Sequence, residues 1–421
     1  METLLEKRRT LEAVNDRALE KQVKEILEEV KAKGDFALMD FSKRFDGADL
    51  TVKGLRVSER EILDACQLVS PDEIDALKTL KSRIEKTERP KLGHMSYSIR
   101  EKGFEIMHTL RPLASVGCYV PGGEAAYPST LLMTAVPAKV AGVSRIVACS
   151  PPTFGGEINP LILAAASISG VDEVYRLGGA QAIAALAYGT ETVRPVVKIV
   201  GPGSRFVTQA KIMVSRSVAI DFPAGPSEII VLADETADKK LVALDLISQS
   251  EHASDNIAGL VTTSLKIARA VVNEVERLAS RLGRKETVAA SLSGNGFVIV
   301  CEAMDEAVGF VNAFAPEHLE VFTREPKTIA EKITSAGIVL LGEYTPVAAS
   351  DYCFGTNHVL PTGGFGHVYS ELSVFDYVRR MSVVECSEYR LNKMRGLAKT
   401  LAEREGLPNH ASAIEGRYDD E

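Results

Sequence analysis

Apolar positions recur with two different periods along this chain, and the change of period divides it. Leu19, Val23, Ile26, Leu27 and Val30 fall at i, i+4, i+7, i+8 and i+11, one face of an amphipathic helix. The Lys, Glu and Asp residues between them form its solvated face. Near Leu113 short apolar runs take over: 116–120, 145–149, 173–177 and 198–200 read as strands. Helices fit between them at 129–140, around Ala164 and at 181–188. The same alternation resumes after residue 225, with strands at 229–232, 258–262, 297–301, 319–322 and 338–341 and helices such as 271–281 between. Strands alternating with helices of about ten residues are the pattern of βαβ units on a parallel sheet. The spacing therefore predicts an α/β protein with two doubly wound, Rossmann-like domains and a small helical C-terminal tail after Gly366. The expected division groups residues 1–112 with 227–365 as one α/β domain with a helical N-terminal segment. Residues 113–226 form the second, and 366–421 the tail.

Length agrees with more than one domain, since 421 residues exceed what a single core usually organises. Apolar residues at 45% and charged residues at 25% are ordinary for a globular protein. The net charge of −8 lacks the basic surplus of a nucleic-acid or anionic-membrane binder. No apolar run approaches the roughly 18 residues of a membrane span. Glu2, Glu6, Lys7, Arg8 and Arg9 place charges where a signal peptide needs its apolar core, so a cytoplasmic location is expected. Cys66, Cys118, Cys149, Cys301, Cys353 and Cys386 show no Cys-x-x-Cys pair, which fits reduced thiols better than a disulfide framework or a thiolate metal site.

Three glycine turns, Pro121-Gly122-Gly123, Gly178-Gly179 and Gly201-Pro202-Gly203, each stand where a strand gives way to a helix. Such turns bring backbone close to a ligand and offer free helix N–H groups to phosphate. However, neither the Gly-x-Gly-x-x-Gly fingerprint nor a Walker-type phosphate loop is present, and ordinary turns satisfy the same spacing. The histidines are His94, His108, His252, His318, His358, His367 and His410. Gln249 and His252 lie three apart near a predicted helix end, so they can face one point. Imidazole and oxygen donors suit zinc or a neighbouring transition metal, although a histidine in a hydrogen-bonded structural role is commoner. Glu317-His318 pairs a water-activating carboxylate with a proton acceptor that works near neutral pH. Pro316 allows a loop or a helix start there, and an exposed Glu-His at a helix start fits the spacing equally.

These segments, taken in order, resemble the histidinol dehydrogenase family. The matching stretches are Gly117-Cys118-Tyr119-Val120-Pro121-Gly122-Gly123, Gly178-Gly179-Ala180-Gln181-Ala182-Ile183 and Asp221-Phe222-Pro223-Ala224-Gly225-Pro226-Ser227-Glu228. Ala315-Pro316-Glu317-His318-Leu319 and Gly355-Thr356-Asn357-His358-Val359-Leu360-Pro361-Thr362 follow. The resemblance implies NAD-dependent oxidation of L-histidinol to L-histidine through an aldehyde, with Zn2+ (one per subunit) as the metal. It assigns Gln249, His252, Asp351 and His410 as metal ligands, His318 as general base and Glu317 as the group that activates water. Substrate contacts fall on Ser227, Gln249, His252, His318, Asp351, Glu405 and His410. NAD contacts fall on Tyr119, Gln181 and Ser204, which makes 113–226 the cofactor side. It also implies a homodimer whose tail crosses over, so that Glu405 and His410 serve the partner's site.

Three positions in two segments depart from the family's usual pattern. Ser204 stands where Asn is usual, and its shorter hydroxyl replaces only part of an amide's hydrogen bonding. Ala253-Ser254 stands where Gly-Pro is usual, which raises the question of a glycine-only backbone angle beside His252. The competing readings are a dehydrogenase of the same family acting on another polar alcohol, a metal-dependent hydrolase using Glu317, and a catalytically dead scaffold. The last would be expected to lose the base or a ligand, and every such residue is present.

Overall fold

The structure, a computed structural model, describes residues 17–418 except 94, 123–125, 153–154, 280 and 282. Gly123 of the first glycine turn, His94, the charged start of the chain and the acidic residues 419–421 lie outside the described residues.

The N-terminal segment forms helices α1 (Arg17–Lys33), α2 (Glu59–Leu68) and α3 (Pro71–Gly93). Val23, Ile26, Leu27 and Val30 are the buried positions of α1, as the stripe predicts. A hairpin of β1 (Tyr97–Glu101) and β2 (Phe104–Pro112) follows.

Next comes a parallel sheet of β3 (Ser115–Tyr119), β4 (Arg145–Ser150), β5 (Glu173–Arg176), β6 (Lys198–Val200) and β7 (Ala219–Ile220), in the order β5-β4-β3-β6-β7. Its helices are α4 (Pro128–Ala141), α5 (Pro160–Ser169), α6 (Gly179–Tyr188) and α7 (Arg205–Val214). Strand alternation sends Val116, Cys118, Ile146 and Ala148 to a core shared with α4 and α5. Tyr119, Val147 and Cys149 go to the opposite core with α6 and α7. Both faces are covered, so these strands read as continuous apolar runs.

The second parallel sheet contains β8 (Glu228–Ala233), β9 (Ile257–Thr262), β10 (Phe297–Val300), β11 (His318–Phe322) and β12 (Ile338–Leu341), ordered β10-β9-β8-β11-β12. It is flanked by α8 (Lys239–Ser250), α9 (Leu265–Ala279), α10 (Lys285–Asn295) and α11 (Met304–Phe314). Numbered within each sheet, both have the strand order 3-2-1-4-5, a doubly wound arrangement.

Two expectations about organisation change. The N-terminal helices pack mainly on the first sheet: α1 joins the core of α6 and α7, while Ile62, Leu77, Leu80 and Ile84 of α2 and α3 join that of α4 and α5, and α3 also meets 227–365 where Thr87 Oγ1 donates to the Gly355 carbonyl at 2.6 Å. Val57 donates to the Val174 carbonyl at 2.9 Å, and Arg176 Nη2 reaches Glu61 at 2.5 Å, so the attachment is polar as well as apolar. The region after Gly366 is not purely helical either. β13 (Val378–Cys386) pairs along its length with β2 in an antiparallel three-stranded sheet, before α12 (Glu388–Arg404) and α13 (Pro408–Glu415). Neither face of β2 is fully buried, so its sequence carries no clean alternation. Among the described residues, no helix is long and apolar enough to cross a membrane.

Candidate active site

The chain leaves β7 and enters β8 through residues 221–227, which brings the C-terminal edge of the first sheet beside the N-terminal edge of the second. Two groups of candidate residues meet there from opposite strand ends. Tyr119 ends β3, Gly178-Gly179 follows β5, and Gly201 to Ser204 follows β6. Since β3 and β6 are neighbours on either side of the point where strand order reverses, the crevice lies where doubly wound sheets bind ligands. A cavity of about 430 Å³ opens there, lined by Tyr119, Gly122, Gly179, Ser204, His252 and Ala253 among others. Gly179 has φ +58, and its amide donates to the Tyr119 hydroxyl at 3.1 Å. Gln181 is buried in α6.

Glu317 and His318 stand at the start of β11, next to Ser227 and Glu228 at the start of β8. Of the two expectations, a loop or a helix start, the loop is the one found: α11 ends at Phe314, Ala315 turns the chain with φ +49, and β11 begins at His318. Glu317 Oε2 accepts the Glu228 amide at 2.8 Å, and Glu228 Oε2 accepts the Glu317 amide at 3.3 Å. Glu228 Oε1 also accepts the Gly363 amide, at 3.2 Å. His318 Nδ1 lies 3.2 Å from the Glu228 carbonyl, so in the neutral ring Nδ1 carries the hydrogen and Nε2 is the acceptor. That Nε2 is buried and has no partner among the described residues. Burial pulls the imidazole down, but Glu317 and then Asp351 outweigh it and push His318 up to about 9.

Gln249 lies buried in the last turn of α8, where its carbonyl accepts from Asn256 Nδ2 at 2.8 Å, and His252 follows two residues past the helix end. Burial lowers the His252 pKa. Asp351 sits on a π-helical turn, Ser350–Phe354. Its Oδ1 is buried without a hydrogen-bond partner among the described residues, and burial pushes its carboxyl up to about 6. His358 Nδ1 lies 4.0 Å from that oxygen, its Nε2 meets Thr130 Oγ1 at 3.2 Å, and burial drives it down to about 4. Thus Glu317, His318, Asp351, His252 and His358 share one electrostatic environment.

Glu405 and His410 do not join this group within the chain. Both are exposed, Glu405 at the end of α12 and His410 on α13. Accordingly, no three His, Cys, Asp or Glu side chains converge as a metal cage among the described residues. The sequence reading missed Glu228, which holds both Glu317 and the His318 ring. The available signal was a carboxylate opening an otherwise apolar strand, Glu228-Ile229-Ile230-Val231. His358 also had no role assigned, although its place seven residues after Asp351 was visible.

A family model described as histidinol dehydrogenase matches residues 9–418. The chain belongs to the histidinol dehydrogenase family. The histidinol dehydrogenase of Rhizobium meliloti (strain 1021) is 46% identical over 392 residues, spanning 93% of this chain and 90% of its own length. That of Methanosarcina barkeri is 43% identical over 399 residues, spanning 94% and 92%. A crystal structure of histidinol dehydrogenase from Elizabethkingia anophelis matches with a TM-score of 0.91 at 38% identity, covering 95% of this chain and 92% of that one. Membership makes the chain an oxidoreductase of histidine biosynthesis.

The departures from the family's usual histidinol dehydrogenase pattern now have a structural setting. Ala253 does not adopt a positive φ, so the backbone beside His252 does not require glycine. Ser204 precedes α7, makes no capping bond with its side chain, and lines the cavity.

Proposed function

We propose that this chain oxidises L-histidinol to L-histidine in two successive hydride transfers to NAD, with L-histidinaldehyde held between them and one Zn2+ per subunit. The observation that carries the reading is the pair of buried atoms His318 Nε2 and Asp351 Oδ1, without partners among the described residues, beside Glu317 at the edge of a crevice suited to a dinucleotide. One atom is a proton acceptor with nothing to accept, and the other is a carboxylate oxygen with no donor. The two call for different ligands, an alcohol and a cation.

The donor chemistry fits zinc. Gln249, His252 and Asp351, with His410 of the partner subunit, would hold the ion as two imidazoles, a carboxylate and an amide oxygen. When bound, zinc would supply the charge that holds the substrate's imidazole and amine, and NAD would supply the hydride acceptor. His318 takes the alcohol proton at Nε2 while its Nδ1 hydrogen stays on the Glu228 carbonyl. Glu317, fixed through Oε2 by the Glu228 amide, draws a proton from the water that adds to the aldehyde. His318 returns its proton to the aldehyde oxygen as the hydrate forms, and then takes a proton from that hydrate as the second hydride leaves. The sum is alcohol, water and two NAD giving carboxylate, two NADH and three protons. Holding the aldehyde on the protein prevents loss of a reactive amino aldehyde to side reactions. A cationic substrate amine beside Glu317 and Asp351 offsets the field that raises His318, which favours its proton-accepting form.

A homodimer is part of this reading. The exposed placement of Glu405 and His410 suits residues that complete another subunit's site. A cavity of about 530 Å³ lined by Leu77, Leu80, Tyr127 and Tyr352 opens beside His252, where a partner segment could seat. The deciding assay mixes zinc-loaded protein with L-histidinol and saturating NAD. Two NADH per histidinol, lost on chelation and regained with zinc, is the expected result. Folded, metal-loaded protein that forms no NADH would transfer the proposal to another polar alcohol.

A further inference from the structure

Lys211 and Asp221 form an ion pair inside the first sheet's edge, with side chains 2% and 0% exposed. None of the roles above uses either residue. Both charges are spent on a single peptide unit's neighbourhood, the two backbone groups of Gly201. Lys211 Nζ donates to the Gly201 carbonyl at 2.9 Å, and the Gly201 amide donates to Asp221 Oδ2 at 2.8 Å. Gly201 has φ +114, and a Cβ there would lie 2.2 Å from the Tyr119 carbonyl oxygen. The turn after β6 is therefore pressed against the end of β3, across the crevice that holds Tyr119 and Ser204.

The pair's connections extend to the other side of the site. Lys211 is on α7, whose Thr208 Oγ1 donates to the Ala224 carbonyl at 2.6 Å. Asp221 begins the crossover that ends at Ser227. A buried charge is costly unless paired and hydrogen-bonded, and an ordinary turn needs no such device. We propose that Lys211–Asp221 is a positioning pair for the dinucleotide, clamping the Gly201-Pro202-Gly203-Ser204 turn against Tyr119 and tying it to the crossover that leads to the catalytic strands. This rests on the NAD reading above. Neither residue touches the cofactor; both act through Gly201.

The test compares the parent with the double variant Lys211→Met/Asp221→Asn, because removing both charges avoids stranding one of them. NAD binding to the full-length, zinc-loaded protein is measured by calorimetry without histidinol, and histidinol binding is measured without NAD. The double variant is expected to lose about tenfold or more in NAD affinity, since small displacements of a positioning element have effects of that order. Zinc content and histidinol affinity should match the parent, and in turnover KM for NAD should rise more than kcat falls. Asp221→Asn alone, which keeps an acceptor for the Gly201 amide but strands the Lys211 charge, should lose at least as much NAD affinity as the double variant. Parent-like NAD affinity in both folded variants overturns the proposal. Loss of the fold in both also overturns it, because the pair would then support the whole sheet and not the turn. Failure of the parent itself to bind NAD would instead remove the reading on which the proposal rests.

Discussion

Glu228 and Glu317 hold one another at the starts of adjacent strands, the amide of each donating to the carboxylate of the other at 2.8 Å and 3.3 Å. The same Glu228 offers its carbonyl to His318 Nδ1, so one residue fixes both members of the Glu-His pair. Glu228→Ala keeps the carbonyl but removes the acceptors for Glu317 and Gly363. It should lower kcat for both oxidation steps by about a hundredfold, the scale of a misplaced catalytic group. Zinc content should stay near parental. Steady-state kinetics with histidinol and with histidinaldehyde check this, and parental kcat in both would remove Glu228 from the site.

His318 should be visible in the pH profile. Its folded pKa is raised to about 9, so the neutral, proton-accepting form grows as pH rises and is the minor form below that value. In kcat/KM, which reports the free enzyme, histidinol oxidation should climb with pH along a limb set by His318, whose inflection zinc on Asp351 and His252 draws below 9. Glu317→Gln removes the largest influence that raises His318, and so should move that limb to lower pH. The same variant should harm the aldehyde-to-acid half more than the alcohol-to-aldehyde half. Equal loss in both halves with an unmoved limb would contradict the roles given to Glu317. His318→Asn should abolish both halves while leaving zinc bound.

Acid stability has a separate source. Arg145 grips Glu173 with Nε and Nη2 at 2.8 Å and 3.0 Å, and Tyr175 donates to it at 2.8 Å. The Arg145 hydrogen bonds prevail over burial and hold Glu173 at about 2, against 4.5 for a free glutamate. A depressed carboxyl pKa stabilises the fold above the unfolded value, and that contribution disappears as pH falls from 4.5 toward 2. Glu173→Gln should therefore melt several degrees below the parent at pH 7, with the gap narrowing through that acid window. A constant gap across the window would mean that Glu173 acts through packing alone.

Much of this was legible in the sequence for identifiable reasons. Strands with both faces buried advertise themselves as apolar runs, and the predicted 198–200 and 338–341 coincide with β6 and β12. The segments holding Glu317-His318 and Ser227-Glu228 could be named, but not that β8 and β11 bring their N-terminal ends together, because strand order is not written locally. The pairing of β2 with β13 was illegible, since it joins Phe104 to Cys386 through half-exposed strands. The destination of α1 to α3 was equally hidden. An apolar stripe such as Val23 to Val30 states that a face is covered, and not which sheet covers it.

Sharing of sites between subunits can be tested by complementation. His410→Ala should be inactive because the partner's zinc site lacks a ligand, and His318→Asn because its own site lacks the base. In a hybrid dimer, the subunit with intact His318 receives His410 from the His318→Asn subunit, so one site is whole and the other carries both lesions. With free exchange and equal amounts, hybrids are half of the dimers and each has one working site, so activity should recover to about a quarter of the parent's. Native mass spectrometry on differently tagged subunits establishes exchange independently. Hybrids present without any recovery would mean that His410 completes its own subunit's site, and His410→Ala active by itself would mean that it serves no site.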